Sequence, residues 1–232
     1  MSNKPEVGTN TRIEICINNI VFTFDGEQLN VLLVQVKDDS LKELWMLPTS
    51  SWVEGTSDES AEKFARKLIG SKPSFNRQFK TYTYQRNTSN ESVVSIAYTS
   101  GVRFEDANIL GIQNEQNGKW WSVYHLPPIG FGQDTIVQEA LEELRQRLYF
   151  EPIAFYLAKK IFTIPELQKI YELILNKKFD KRNFSKKIIQ SGTLKKSKRP
   201  EFDSSKAHSF YSFNAKGYLA LKKDSSGSKF EF

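Results

Sequence analysis

Cysteine is almost absent from this chain, with Cys16 alone among 232 residues. One thiol excludes an intramolecular disulfide framework and any zinc site built on several cysteines. Its position within a β-branched run reads as a small apolar strand residue rather than a nucleophile. Long apolar runs are missing too. No stretch approaches the roughly 20 residues of a membrane-spanning helix, and the opening MSNKPEVGTNTR lacks the apolar core of a signal peptide. A cytoplasmic protein with no membrane contact is expected.

Acidic residues thin out towards the end. Residues 151–232 hold 18 Lys+Arg against 8 Asp+Glu, a net of +10, whereas residues 1–150 hold 15 against 19, a net of −4. Such asymmetry suggests that only the second part meets a polyanion, with a solvated basic surface as the plain alternative.

After a flexible start over residues 1–11, Arg12–Phe24 reads as a strand rich in β-branched and aromatic residues. Asp25-Gly26 supplies a turn, and Leu29–Lys37 its partner strand. KDDSLKEL is loop-like, and Trp45-Met46-Leu47-Pro48 is a short apolar segment stopped by proline. Ala61, Phe64, Ala65, Leu68 and Ile69 then recur at helical spacing, with Ser57 or Asp58 as the expected N-cap. Strands are expected at Gln78–Tyr84 and Val93–Thr99, joined by the turn Asn-Thr-Ser-Asn, and again at Lys119–His125. A helix from about Asp134 to Leu148 carries Ile136, Ala140, Leu141, Leu144 and Leu148 on one side. This is α/β (α+β) patterning for residues 12–150, an α/β/α sandwich.

Residues 151–216 read as a winged helix-turn-helix, and 217–232 as a tail. Thr163 and Glu166 have the spacing of a capping box, with Pro165 in the first turn, where its missing N–H is harmless. Leu167, Ile170, Tyr171 and Ile174 form the stripe that should be buried. Asp180 should cap the next helix, whose apolar side is Phe184, Ile188 and Ile189. Asn183, Lys186, Lys187 and Gln190 recur at i, i+3, i+4 and i+7 on its other face, and Lys181 and Arg182 open it. Lysine neutralises phosphate or donates to guanine, while Asn and Gln pair with adenine. Beyond Ser191-Gly192, Thr193–Arg199 and Ala207–Phe213 are expected to pair as a wing bearing Lys195, Lys196, Lys198, Arg199, Lys206 and His208. Each lysine singly reads as a solvated charge; the pattern on one face beside a basic hairpin points to duplex DNA. His208 has no metal-ligand chemistry around it and reads as a polar wing contact or an exposed side chain.

Several segments fall in the order and spacing of a known family. They are Trp45-Met46-Leu47-Pro48, Asp58-Glu59-Ser60 with its helix, Val93-Val94-Ser95-Ile96-Ala97-Tyr98, Trp121–Pro127, Glu151-Pro152-Ile153, Phe162–Glu172 (FTIPELQKIYE) and Asp180–Phe184 (DKRNF). With them the chain resembles the Nudix-related transcriptional regulators from Ile13 to Asn214. The resemblance implies a Nudix-like sensor domain, a C-terminal winged helix that binds operator DNA, and a homodimer on an inverted repeat. It also implies a small-molecule effector, either a pentose sugar or an ADP-ribose-like nucleotide. Trp52, Glu59, Phe131, Gln133 and Asp134 are the ligand-pocket residues it suggests, although Trp52 reads equally well as packing.

The departures are as informative. A Nudix hydrolase holds magnesium with glutamates at the end of its box, Arg-Glu-Leu-x-Glu-Glu-x-Gly. Here those positions read Lys67-Leu68-Ile69-Gly70-Ser71-Lys72, and no acidic residue occurs from Lys63 to Asn90. No catalytic residue, metal or cofactor is therefore expected. A divergent Nudix pyrophosphohydrolase acting on ADP-ribose-like nucleotides, and a basic module docking an acidic protein, are the competing readings.

Overall fold

The computed structural model describes residues 12–35, 44–52, 54–85, 91–115, 117–200 and 209–224. Strand β1 (Arg12–Phe24) is the spine of the first domain. It pairs antiparallel with β2 (Leu29–Gln35) through Phe22↔Val31, beyond a turn in which the Asp25 carboxylate accepts from the N–H groups of Glu27 and Gln28. Further along the sheet lie β3 (Trp45–Met46) on β2 and β4 (Thr49–Ser51) on β1. On its other side β1 runs parallel to β6 (Glu91–Gly101), which is paired with β5 (Phe75–Gln85). The seventh strand, β7 (Gly118–Ser122), joins β2.

A parallel β1–β6 pair requires a crossover. Helix α1 (Ser57–Ile69) lies on it, burying Ala61, Ala65, Leu68 and Ile69 against one face of the sheet. Its N-cap is Thr56, one residue before the expected Ser57 or Asp58. The Thr56 hydroxyl accepts from Glu59 N–H, and the Glu59 carboxylate accepts from Thr56 N–H. Helix α2 (Ile109–Glu115) packs against α1 and β7. Helix α3 (Gln133–Leu148) covers the opposite face with Ile136, Val137, Ala140, Leu141, Leu144 and Leu148. The layers are the expected α/β/α sandwich.

Helix α4 (Ile153–Leu157) leads into β8 (Phe162–Thr163), α5 (Ile164–Leu175) and α6 (Lys181–Gln190). Strands β9 (Leu194–Ser197) and β10 (Phe210–Phe213) complete a small sheet in the order β8-β10-β9. Helix α7 (Ala215–Asp224) follows. One apolar cluster runs from Ile20, Phe22 and Leu33 through Leu141 and Leu144 to Phe155, Leu167, Tyr171 and Phe184, so the two parts share a core.

Four further expectations need correction. The strand expected over Lys119–His125 ends at Ser122, because residues 123–124 form a turn ahead of Pro127-Pro128. Ile189, expected in the core, is 51% exposed. Helices α2 and α4 were not anticipated, being only 7 and 5 residues long, too short to show periodicity. Residues 217–224, expected as tail, continue α7, and Tyr218 is buried with its hydroxyl donating to Phe150 O. The loop over 36–43 and the turn over 87–90 lie outside the described residues.

Candidate nucleic-acid interface and sensor cleft

The helix-turn-helix is built on α5. The Thr163 hydroxyl accepts from Glu166 N–H, and the Glu166 carboxylate accepts from Thr163 N–H at 2.7 Å, so the capping box is formed. Leu167, Ile170, Tyr171 and Ile174 are buried as the stripe predicts. Asn176 stops the helix in the left-handed region at φ 50°, and its N–H donates to Glu172 O.

The turn between α5 and α6 is held by one carboxylate. Glu172 accepts from Gln168 Nε2 at 2.9 Å, from Phe179 N–H at 3.0 Å and from Lys178 Nζ at 2.9 Å. Burial works against ionisation of Glu172, but the Lys178 ammonium, the Phe179 amide and Gln168 outweigh it and hold the carboxyl below its ordinary value. Gln168 also donates to Phe179 O at 3.0 Å. Asp180 then caps α6 by accepting from Asn183 N–H at 2.9 Å.

Phe184 and Ile188 fix how α6 sits. Both are buried, and Phe184 meets Tyr171 edge-on with ring centroids 5.5 Å apart. The opposite face is free of the core, and Lys181, Arg182, Asn183, Lys186, Lys187 and Gln190 are all exposed on α6. In the wing, β9 and β10 pair through Leu194↔Phe213 to Ser197↔Phe210, with Ser197 Oγ donating to Ser212 Oγ at 3.0 Å. Lys195 and Lys196 are exposed on β9, and Lys198 and Arg199 follow it, also exposed. The Arg199 guanidinium lies 5.9 Å from the Phe210 ring centroid. Lys206 and His208 lie outside the described residues. Ten of the expected DNA-contact residues are thus exposed on α6, on β9 and on the two residues that follow β9.

The five suggested ligand residues fall into two groups. Trp52 and Glu59 stand at the entry to α1, where Trp52 Nε1 donates to Gly55 O at 3.3 Å. Phe131, Gln133 and Asp134 stand at the start of α3. Phe131 is 75% exposed at φ 57°, and Asp134 is exposed. Gln133 is buried, and its amide oxygen accepts from Leu47 N–H at 2.8 Å, which ties α3 to the β3–β4 connection. An open cleft of about 450 Å³ lies between α1 and β5, lined by Asp58, Glu59, Glu62, Lys63, Arg66, Asn76 and Arg77. Only Glu59 among the five lines it. Lys63, Arg66 and Arg77 carry no sequence signal beyond ordinary surface charge.

The cleft's carboxylates do not fit a magnesium ion. Asp58 accepts from Tyr98 OH at 2.5 Å, Glu59 is engaged in the capping box, and Glu62 lies 3.1 Å from Lys72 Nζ. Three cations share the same lining, and magnesium requires free, clustered oxygen ligands. Burial first, then the Asp58 hydrogen bond, push the Tyr98 hydroxyl up to about 12, so it remains a donor to Asp58.

Residues 154–213 match the NrtR DNA-binding winged helix domain. That match spans nearly all of the second domain. Over 208 residues the chain is 24% identical to an ADPR responsive transcriptional repressor, NtrR, of Acinetobacter baylyi, covering 87% of this chain and 82% of that relative. It superposes on NrtR of Shewanella oneidensis, solved in complex with a 27mer DNA, at a TM-score of 0.75 and 19% identity, covering 93% of this chain and 97% of that one. A MutT/nudix family protein from Enterococcus faecalis gives 0.68 at 17% identity, over 88% and 89% of the two chains. The fold is therefore the one those two structures share with this chain, an α/β/α sandwich preceding a winged helix. Among the described residues no helix is long and apolar enough to cross a membrane, and no three His, Cys, Asp or Glu side chains are grouped to hold a metal.

Proposed function

We propose that this protein is a cytoplasmic, homodimeric transcriptional regulator. Its NrtR-type reader binds an inverted-repeat operator, and its Nudix-type domain senses an ADP-ribose-like nucleotide without hydrolysing it. The observation that carries this is α6, held on α5 by Phe184 and Ile188 with six cationic or amide side chains facing outward. The relatives' names favour ADP-ribose over a pentose as effector. Lys181, Arg182, Asn183, Lys186, Lys187 and Gln190 meet the major groove and its phosphates. Lys195, Lys196, Lys198, Arg199, Lys206 and His208 approach the flanking backbone.

Affinity for duplex DNA falls steeply with salt in this reading, because each neutralised phosphate releases counterions. The double variant Lys186→Glu with Lys187→Glu weakens binding and lowers the slope of log affinity against log salt by about one per lost phosphate contact. Anisotropy titrations across salt concentrations check this, and a flat salt response by the wild type rejects DNA binding. Hydrolysis is disfavoured by the engaged carboxylates of α1 and by the absence of acids from Lys63 to Asn90. ADP-ribose incubated with the protein and magnesium is expected to stay intact, and nucleotide release that Glu59→Gln abolishes would restore the hydrolase reading.

A further inference from the structure

The outward face of α6 contains one residue that neither charge nor amide chemistry accounts for. Phe184 and Ile188 set the buried direction of the helix. With 3.6 residues per turn, Lys186 lies opposite the core, Arg182 and Ile189 lie together on one flank beside it, and Asn183 and Gln190 lie on the other. Ile189 is 51% exposed there. An isoleucine held there forgoes much of the gain that burial of its apolar surface would bring. Its neighbours on the face are all hydrogen-bond donors, so the apolar surface stands inside a polar array rather than in a wider apolar patch.

A major groove offers one apolar group at base level, the C5-methyl of thymine, and it is read by apolar side chains. We infer that Ile189 is a specificity-determining residue of α6 that packs on a thymine methyl, while Lys186 and Arg182 on the same face hold the flanking phosphates or guanine. This rests on the DNA-binding reading above. It assigns Ile189 a base contact from the final turn of the helix, which places the whole length of α6 along the groove rather than its first turn alone.

The test uses duplexes recovered from a randomised pool by the full-length wild-type protein. Each thymidine in a recovered site is replaced singly by deoxyuridine, which removes only the methyl, and binding is measured for wild type and Ile189→Ala. At one or two positions per half-site the wild type is expected to lose about fourfold in affinity, the effect of unburying one methyl. Ile189→Ala should be indifferent at those positions and unchanged in its response elsewhere. Equal responses of the two proteins at every thymidine would overturn the inference. So would a loss of dimer by Ile189→Ala, read by sedimentation, with methyl sensitivity intact, since Ile189 would then be a protein contact. Failure of the wild type to recover any salt-sensitive duplex rejects the DNA-binding reading itself and is distinct from both.

Discussion

Single side chains in this protein act mostly by holding backbone in place, and Glu172 is the clearest case. Its carboxylate gathers Gln168, Lys178 and the Phe179 amide at the turn that aims α6. The folded carboxyl lies below its ordinary value of 4.5. Its stabilisation is therefore whole above that value and is lost as pH falls through the lower, folded one. Glu172→Gln keeps the shape and removes the charge, and a cost of about 1–3 kcal/mol is expected at neutral pH, the range for a hydrogen-bonded charged group. Urea unfolding at neutral and at acidic pH checks this: the wild type and the variant should converge in acid. A constant difference across pH would show that the charge is not what holds the turn. Gln133 makes the same point about legibility. The resemblance suggests a ligand residue, and the structure adds that its amide oxygen accepts from Leu47 N–H, a pairing 86 residues apart that no local pattern displays.

At the scale of elements, the sequence announces what is periodic or capped. The buried stripes of α1, α3 and α5 stand where apolar spacing places them, and the Thr163 box and Asp180 cap form as their chemistry requires. Boundaries set by proline and turn residues are legible to within a few positions. Helices α2 and α4 were invisible because a helix of two turns or fewer cannot show a face. Ile189 was misplaced for a related reason: at helical spacing an apolar residue next to Ile188 can point inward or outward, and only the packing of Phe184 on Tyr171 settles the rotation. The cleft beside α1 needs β5 folded against it, so that Asn76 and Arg77 line it together with Arg66 of the helix. The polar positions of α6 are legible without the structure, in contrast, since surface charge on a short capped helix depends on nothing distant, and Ile189 is the one residue of that face which is not.

Across the whole molecule, the sandwich and the reader are bound into one body. Arg145 Nε on α3 donates to Ile174 O at the end of α5 at 2.8 Å, and Tyr124 OH donates to Leu173 O. Lys169 Nζ reaches Glu27 Oε2 at 2.5 Å, and Arg103 Nε donates to Ala158 O at 3.0 Å. Leu144, fully buried on α3, belongs to the same apolar cluster as Phe155 and Leu167. Leu144→Ala is expected to cost about 2–5 kcal/mol and to lower one shared calorimetric transition. Two separate transitions, only one of them shifted, would show that the parts fold apart.

Under the proposed function, that shared core limits how the protein can be retargeted. A reader exchanged at residue 150 would arrive without the α3 surface that α5 rests on, so a chimera joined there inherits a hole where Leu141 and Leu144 expect a partner. New operators are reached more readily by repainting the outward side of α6 than by importing another winged helix. Substitutions that change the operator should accordingly gather at positions such as Arg182, Lys186 and Ile189, while Phe184 and Ile188 stay fixed by the packing of α6 on α5.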